Sequence, residues 1–419
     1  MIQQGIGKLV LKKQNRRQVL KLIKTMGPMS RIDIADTLHL TRAAVTIIIN
    51  EMIEQNVLAE IGEEHRSSTE KAPKGRKKIL IDINRNFRFA IGAVIEDDCI
   101  SVGLCTISGA VLDKSSADIK ESDSIETIMD CISSAAEMLI SNSCLDAESI
   151  LGIGIGVEPS MYVRLGVTTN EDGSCDFGRL NNLLRNPRGL PVIYDNSIKG
   201  IAYANLDFFR DKCLGASNAV MLSYGWNYYS VVIAADEAIE GYNLASCSID
   251  KIIVAPGGEA LDGYPDGSVK AELSLEALCR RVRRIYSEKN TPILYKLTGG
   301  DIEAATYSMI FDAYTLGDKG VEVEKKRSIQ YLTVLINNIL YAINPQVIIL
   351  HDFSSLDKDI AEFRKVLPRT VLHGDDSKVV RSGIEPKHAF LGGAALAIRK
   401  FFIDEGGCTA KNIIDIDYI

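Results

Sequence analysis

From residue 89 onward the chain alternates between strand-like and helix-like segments, and the same order occurs twice. The first round predicts strands at 90–94, 100–106 and 110–115, a helix at 124–141, strands at 150–157 and 191–194, and a helix at 197–208. The second round predicts strands at 219–223 and 230–234, helices at 274–287 and 327–343, a strand at 347–350, an amphipathic segment at 357–367 and a last helix at 394–402. Two α/β halves with mixed sheets predict a two-lobed body with a cleft.

The segment before this body has a different pattern, with three short helices followed by two strands. Residues 15–26 carry their apolar side chains largely on one helical face. Ser30 and Asp33 have the spacing of a capping box, which opens a second helix, and Thr41 is positioned to cap a third helix at 42–55. Ala35 and the apolar residues five and ten positions later allow two helices to cross over a short turn. This spacing predicts a helix-turn-helix.

The third helix begins with short or hydrogen-bonding residues on its outer side, as entry into a DNA major groove requires. Residues 58–61 and 79–83 alternate like the strands of a wing, and the loop between them ends in a basic stretch suited to phosphates. The predicted DNA-contacting residues are Arg16, Arg17, Ser30, Thr41, Arg42, Ala43, Ala44, Thr46, Asn50, Lys74, Gly75, Arg76 and Lys77. The alternative is a helical hairpin with a solvated charged loop, which explains any one of these features but not their combination.

Charge divides the chain at the same place. Residues 1–85 contain 16 Lys and Arg against 9 Asp and Glu, whereas the remaining residues contain 32 against 46. A basic head on an acidic body indicates that the head binds a polyanion and the body does not. Chance segregation of solvated charge is the alternative.

Several protein classes do not fit the sequence. No apolar run approaches the roughly 20 residues that span a bilayer, and no signal peptide is recognisable at the N-terminus, so we expect a cytoplasmic protein without a membrane partner. The nine cysteines are scattered without a Cys-x-x-Cys pair. This spacing indicates buried thiols and no disulfide framework or local metal cluster.

The head and body together resemble the ROK family (repressors, open reading frames, kinases), over about residues 14–402. The segments that carry the resemblance are residues 15–17, 151–157, 189–196, 331–350 and 391–395. The resemblance implies a winged helix-turn-helix at 1–84 and an actin-like, ribonuclease H-like sugar-kinase fold. In that fold one lobe spans 85–208 and includes the helix at 391–403, a second spans 209–390, and a tail follows at 404–419.

The phosphate-binding loops of the family's kinases are altered in this chain. The resemblance implies that the first loop falls at residues 91–98, where Glu96, Asp97 and Asp98 would repel a phosphate. These carboxylates could suit a hard cation, although a solvated turn is the commoner arrangement. The second loop corresponds to residues 225–230, which are bulky, and the third to residues 350–354, which lack glycine.

The family's catalytic and zinc-binding positions are altered as well. The residue aligned with the catalytic aspartate is Ser197, which has no useful basicity near neutral pH without a partner. The stretches that hold the family's zinc ligands contain only Cys247, and Asp250 stands in place of the histidine. We therefore expect no kinase activity, no cofactor and no metal.

The resemblance implies a carbohydrate or sugar phosphate as effector in the cleft. The residues left there that suit such a ligand are Glu158, Tyr194, Asp195, Asn196, Trp226, Asn227 and Asp250. Alternatively, Trp226, Tyr228 and Tyr229 fill a disused cleft, and Asp195 and Asn196 only cap the helix that follows.

The sequence thus predicts a transcription regulator with a sensor body. The resemblance to the ROK family implies that it is a repressor. Because most operators have two-fold symmetry, we expect a homodimer or a dimer of dimers on double-stranded DNA. The alternatives are a DNA-binding protein whose body only dimerises or docks a partner, and an active sugar kinase.

Overall fold

Three helices and a small sheet form the N-terminal head in the computed structural model, which describes residues 8–63, 78–225, 227–241, 247–351 and 378–408. The head consists of α1 (Lys8–Met26), β1 (Met29–Ser30), α2 (Arg31–Leu38), α3 (Arg42–Glu54), β2 (Leu58–Glu63) and β3 (Ile79–Ile83). The strands are antiparallel in the order β1-β3-β2. The predicted helices and both wing strands are confirmed, although α1 begins at Lys8, seven residues before the predicted start.

The head has its own apolar core. Leu20 of α1, Ile34 of α2, and Val45 and Ile49 of α3 are fully buried, which is the face that the helical periodicity predicts. The residues at 64–77 lie outside the described residues, and they include the predicted DNA contacts Lys74, Gly75, Arg76 and Lys77.

A mixed five-stranded sheet follows the head, in the order β10-β7-β4-β5-β6. Its elements and connections are β4 (Phe89–Ile95), β5 (Cys99–Thr106), β6 (Val111–Asp118), α4 (Ile125–Asn142), β7 (Ile150–Val157), α5 (Tyr162–Leu165), β8 (Thr168–Thr169), β9 (Cys175–Asp176), α6 (Gly178–Leu183), β10 (Val192–Asn196) and α7 (Ser197–Phe208). Strands β4, β7 and β10 are parallel, so their carboxyl ends meet at one edge of the sheet. The buried strand predicted at 150–157 is confirmed as β7.

A second mixed sheet has the order β13-β12-β11-β14-β15. Its elements are β11 (Ala219–Ser223), β12 (Tyr229–Ala234), β13 (Glu237–Ala238), α8 (Val269–Leu273), α9 (Leu275–Ile285), α10 (Pro292–Leu297), α11 (Tyr307–Thr315), α12 (Lys319–Ile343), β14 (Val347–His351) and β15 (Val379–Arg381). Helix α12 begins eight residues before the prediction because the Asp318 carboxylate accepts hydrogen bonds from the first amides of the helix. The predicted segment at 357–367 lies outside the described residues.

The last helix, α13 (Phe390–Ile398), continues into a π-helical turn at Arg399–Ile403. It packs on β4, β7 and α7 of the first sheet through glycines, which allow backbone to approach backbone. A Cβ built on Gly393 would lie 2.4 Å from both the Ala93 and Gly154 carbonyl oxygens. By contacts within the chain, Met1–Asp211 and Ile384–Ile419 form one unit, and Lys212–Gly383 forms the other.

None of the helices in the described ranges combines the length and apolarity needed to cross a membrane. All nine cysteines fall within the described ranges, and each is a free thiol.

Candidate functional sites

The helix-turn-helix of the head is fixed by two side-chain caps. Thr41 Oγ1 accepts a hydrogen bond of 3.2 Å from the Ala44 amide at the start of α3. Ser30 Oγ accepts one of 3.2 Å from the Asp33 amide at the start of α2, and it donates one of 2.7 Å to the Asp33 carboxylate. Both predicted caps are confirmed. Because each cap satisfies an amide that the helix leaves unpaired, it fixes where the helix begins.

The outer face of α3 carries the predicted reading residues. Arg42, Ala43, Thr46 and Asn50 are exposed, while Ala44 is half-buried. Arg42, Thr46 and Asn50 are four residues apart and so share one side of the helix. The Thr46 hydroxyl donates a hydrogen bond of 2.7 Å to the Arg42 carbonyl oxygen, which leaves its oxygen lone pairs for a donor on a ligand.

A depression of about 430 Å³ lies beside this face. It is lined by Ser30, Arg31, Ile32, Arg42, Thr46, Lys78 and Ile79. The structure therefore brings three predicted residues together with Arg31, which was not predicted, and with Lys78, the last residue of the predicted basic stretch. Lys78 Nζ lies 2.6 Å from Asp33 Oδ1. Hydrogen bonds from Lys78 and from Ser30 hold the pKa of Asp33 below its usual range.

Two predicted DNA contacts on α1 point elsewhere. Arg16 is 1 % exposed; its Nε donates to the Gly406 carbonyl oxygen at 2.8 Å, and its Nη2 donates to Gln55 Oε1 at 2.8 Å. Arg17 Nη2 lies 2.9 Å from Asp404 Oδ1. In this conformation Arg16 is inaccessible to a phosphate, and Arg17 is already paired. Both side chains join the head to the turn after α13. The Arg16 contact joins residues 390 positions apart in the sequence, so no local sequence pattern predicts it.

A buried ionic cluster makes a second connection between the head and the first sheet. The Asp207 carboxylate, at the end of α7, lies 2.7 Å from Lys24 Nζ of α1. Arg399 binds the same carboxylate through two nitrogens, at 2.8 and 2.7 Å. Burial alone would raise the pKa of Asp207, but Arg399 and Lys24 together hold that pKa below its ordinary value. The Asp207 carboxylate therefore stays ionised inside the protein at neutral pH.

Four predicted effector residues lie at the carboxyl edge of the first sheet. Glu158 follows β7, and Tyr194, Asp195 and Asn196 end the neighbouring β10. Asn196 Oδ1 accepts from the Ile198 amide at 2.8 Å and caps α7, so the predicted capping role is confirmed.

Two side chains at this edge differ in how their polar groups are satisfied. Asp195 Oδ2 forms an ion pair of 2.8 Å with Lys199, one turn into α7. The Tyr194 ring stacks on Phe177, and its buried hydroxyl has no hydrogen-bond partner among the described residues. Burial raises the pKa of Tyr194, so the phenol stays protonated and remains a donor.

The remaining described effector residues belong to the second unit. Asn227 Oδ1 accepts a hydrogen bond of 2.8 Å from Lys270 Nζ. The Asp250 carboxylate is buried and accepts one of 2.9 Å from the Tyr228 amide. Burial raises the pKa of Asp250 despite that bond. Trp226 lies outside the described residues.

The positions aligned with kinase motifs have structural roles in this chain. The Tyr228 side chain is part of the apolar core of the second unit, and its hydroxyl donates to the Leu273 carbonyl oxygen at 2.9 Å. Ser197 is the first residue of α7 and is buried. Within the described ranges, no three His, Cys, Asp or Glu side chains are grouped so as to hold a metal ion.

Known proteins share both the sequence pattern and this architecture. No family model matches the chain. The xylose repressor of Staphylococcus xylosus is 22% identical over 352 residues, which cover 81% of this chain and 82% of that protein. The crystal structure of a ROK family transcriptional regulator, a homologue of the Escherichia coli MLC protein, superposes with a TM-score of 0.68 at 20% identity, covering 95% of this chain and 98% of that one. The chain is thus similar to ROK family proteins in sequence and shares the fold of that regulator.

The body therefore has the actin-like fold of ROK sugar kinases behind a winged helix-turn-helix. Kinases of the family are also similar to it. The glucokinase of Thermotoga maritima is 24% identical over 266 residues, which cover 62% of this chain and 80% of that enzyme.

Proposed function

We propose that this protein is a DNA-binding transcriptional repressor of the ROK family whose body responds to a carbohydrate or a related small molecule. The observation that carries the proposal is the capped α3 with its exposed Arg42, Thr46 and Asn50, beside a wing base that supplies Lys78. A short helix with arginine and amide side chains on one open face suits base edges in a major groove. The similarity to xylose repressors supports both the regulatory role and a sugar-type effector.

We propose further that the body does not transfer phosphate. A general base must accept a proton, and the serine at the aligned position does not do so near neutral pH. The nearest carboxylate in sequence, Asp195, is already paired with Lys199. Active glucokinases in the family make catalysis the second candidate, so it is tested directly by coupled measurement of ATP consumption with a panel of hexoses and amino sugars. Turnover above the protein-free rate would contradict the proposal.

The carboxyl edge of the first sheet is the proposed effector site. The Tyr194 hydroxyl, which has no partner among the described residues, supplies a buried donor, and Asp195 and Asn196 supply oxygens, a set that suits sugar hydroxyls. Thermal unfolding with sugars and sugar phosphates tests it, because a ligand at 100 times its Kd adds about 2.7 kcal/mol to the free energy of unfolding. A screen without any shift would favour the effector-independent DNA-binding protein.

Helix α7 offers a route from that edge to the head. It begins at Ser197, next to the proposed effector residues, and Asp207 in its last turn binds Lys24 of α1. A ligand that displaces the start of α7 would therefore act on α1 through a single rigid helix. Such a ligand shifts DNA affinity only by the difference between its affinities for the two states.

A homodimer would place two copies of α3 in successive major grooves, and a dimer of dimers would engage two such sites. Sedimentation of the protein alone and with an operator fragment measures both assemblies. A monomer bound at saturation would contradict this part of the proposal.

Arg42→Ala and Asn50→Ala are each expected to weaken binding to a selected operator by about 10- to 100-fold, since one good base contact contributes about 1–3 kcal/mol of discrimination. Binding to unrelated duplexes should change much less. Fluorescence anisotropy with a duplex enriched from a random library measures both. Equal losses of affinity for every duplex would indicate instead that these side chains contact phosphates.

Lys77→Ala is expected to weaken binding to all duplexes alike. It should also reduce the slope of log K against log salt by about 0.9, because one fewer counterion is released. Lys296→Ala is the matched control, since this exposed lysine lies in the second unit, away from the head in sequence. An unchanged slope for Lys77→Ala would contradict a contact between Lys77 and a DNA phosphate.

A further inference from the structure

A single arginine of the head connects the three elements that surround the reading face. Arg31, the first residue of α2, donates from Nη1 to Glu60 Oε1 of β2 at 2.9 Å and from Nη2 to Asn50 Oδ1 of α3 at 3.0 Å. Its side chain is only 25 % exposed. Sequence reasoning did not include Arg31 among the DNA contacts, because its position next to a cap indicated only the start of a helix.

These contacts determine how the Asn50 carboxamide is oriented. A guanidinium group has donors only, so the atom of Asn50 that faces it must be the oxygen. The amide nitrogen then points about 120° away around the carboxamide carbon and carries the donors that remain for a ligand. Asn50 is exposed on the same side of α3 as Arg42 and Thr46.

We propose that Arg31 is a positioning residue that makes Asn50 a hydrogen-bond donor toward the base edge, an inference that rests on the proposed DNA-binding function. An unrestrained asparagine pairs with adenine by accepting from N6 and donating to N7. With its oxygen turned toward Arg31, Asn50 presents its amide nitrogen to the groove and favours a base that offers adjacent acceptors. In the major groove that base is guanine, which presents N7 and O6.

The charges around Arg31 favour this role over a phosphate contact. Glu60 neutralises the guanidinium and would repel a phosphate placed against it. An exposed ion pair contributes little in water, but a bound duplex excludes water from this face and strengthens the hydrogen bonds there. Lys78, which lines the same depression, is paired in the same way with Asp33.

The test compares Arg31→Lys and Arg31→Met with the full-length wild type by selection from a random duplex library. The lysine variant keeps the positive charge but cannot bridge both partners, and the methionine variant removes charge and bridge together. We expect both variants to lose about tenfold of the guanine preference at one position of each half-site, with a gain for adenine there. Arg31→Lys should keep the wild-type salt slope.

The same substitutions in an Asn50→Ala background separate positioning from a direct contact. If Arg31 acts through Asn50, the guanine preference is already lost in Asn50→Ala, and adding Arg31→Met changes it no further. An unchanged base preference in both Arg31 variants, or a uniform loss with a lower salt slope, would overturn the inference and leave Arg31 as a phosphate contact. A wild-type protein that enriches no sequence would instead refute the proposed function, and thermal unfolding of each variant identifies any that fails to fold.

Discussion

Asp207→Ala is expected to lower the free energy of unfolding by about 3–5 kcal/mol, the usual effect of removing one partner from a buried ion pair. The carboxylate is 6 % exposed and forms ion pairs with both Lys24 and Arg399, whose side chains are 13 % and 11 % exposed. Its removal leaves two cations close together without the carboxylate that both of them contact. Because one of these cations belongs to α1, we expect the head to detach from the first sheet in the variant, visible as a separate early unfolding transition.

Asp211→Ala is the matched control, because Asp211 is exposed and lies just beyond the end of α7. Its effect should stay within about 0.5 kcal/mol. The pH dependence gives a second readout. A carboxylate with a lowered folded pKa contributes stability above its unfolded pKa of about 3.9, and that contribution is lost as the pH falls through the folded value. Asp207→Ala should therefore be less acid-sensitive than the wild type, and equal stability of the two proteins at neutral pH would contradict the assignment.

Local signals predicted the head well. The caps at Ser30 and Thr41 depend on residues three positions apart, and helical periodicity identified the buried Ile34 and Val45. Such features are readable from sequence because the interacting groups are near neighbours along the chain. The buried strand β7 was predicted for the same reason, since eight consecutive apolar or glycine residues fit no exposed element.

Long-range contacts account for what the sequence did not reveal. Arg16 and Arg17 look like surface cations of a basic head, yet they bind a turn near residue 405. Arg31 donates a hydrogen bond to Asn50, 19 residues away on another helix, and Lys24 forms an ion pair with Asp207, 183 residues away. Side-chain type alone does not distinguish a lysine paired with a buried acid from one that faces a phosphate. Only the packing of α1 against α7 and the turn after α13 makes that distinction.

Gly393→Ala is expected to lower the free energy of unfolding by about 3 kcal/mol, at the upper end of the range for overpacked cores. Helix propensity acts in the opposite direction, since alanine is better than glycine within a helix by about 1 kcal/mol. Packing outweighs it because the new methyl group would lie 2.4 Å from the Ala93 and Gly154 carbonyl oxygens and 2.7 Å from the Ala93 nitrogen. All three atoms are backbone of sheet strands and cannot move without displacing β4 and β7.

Gly225→Ala is the matched control, because among the described residues its added methyl group meets only the Asn227 carbonyl oxygen, at an ordinary 4.0 Å. Denaturant unfolding of both variants should show a large loss for Gly393→Ala and almost none for Gly225→Ala. Since α13 also leads into the Arg399 turn that binds Asp207, its displacement should weaken the Asp207 cluster as well. The effects of Gly393→Ala and Asp207→Ala should then be less than additive, and strictly additive losses would mean that α13 packing and the ionic cluster stabilise the protein independently.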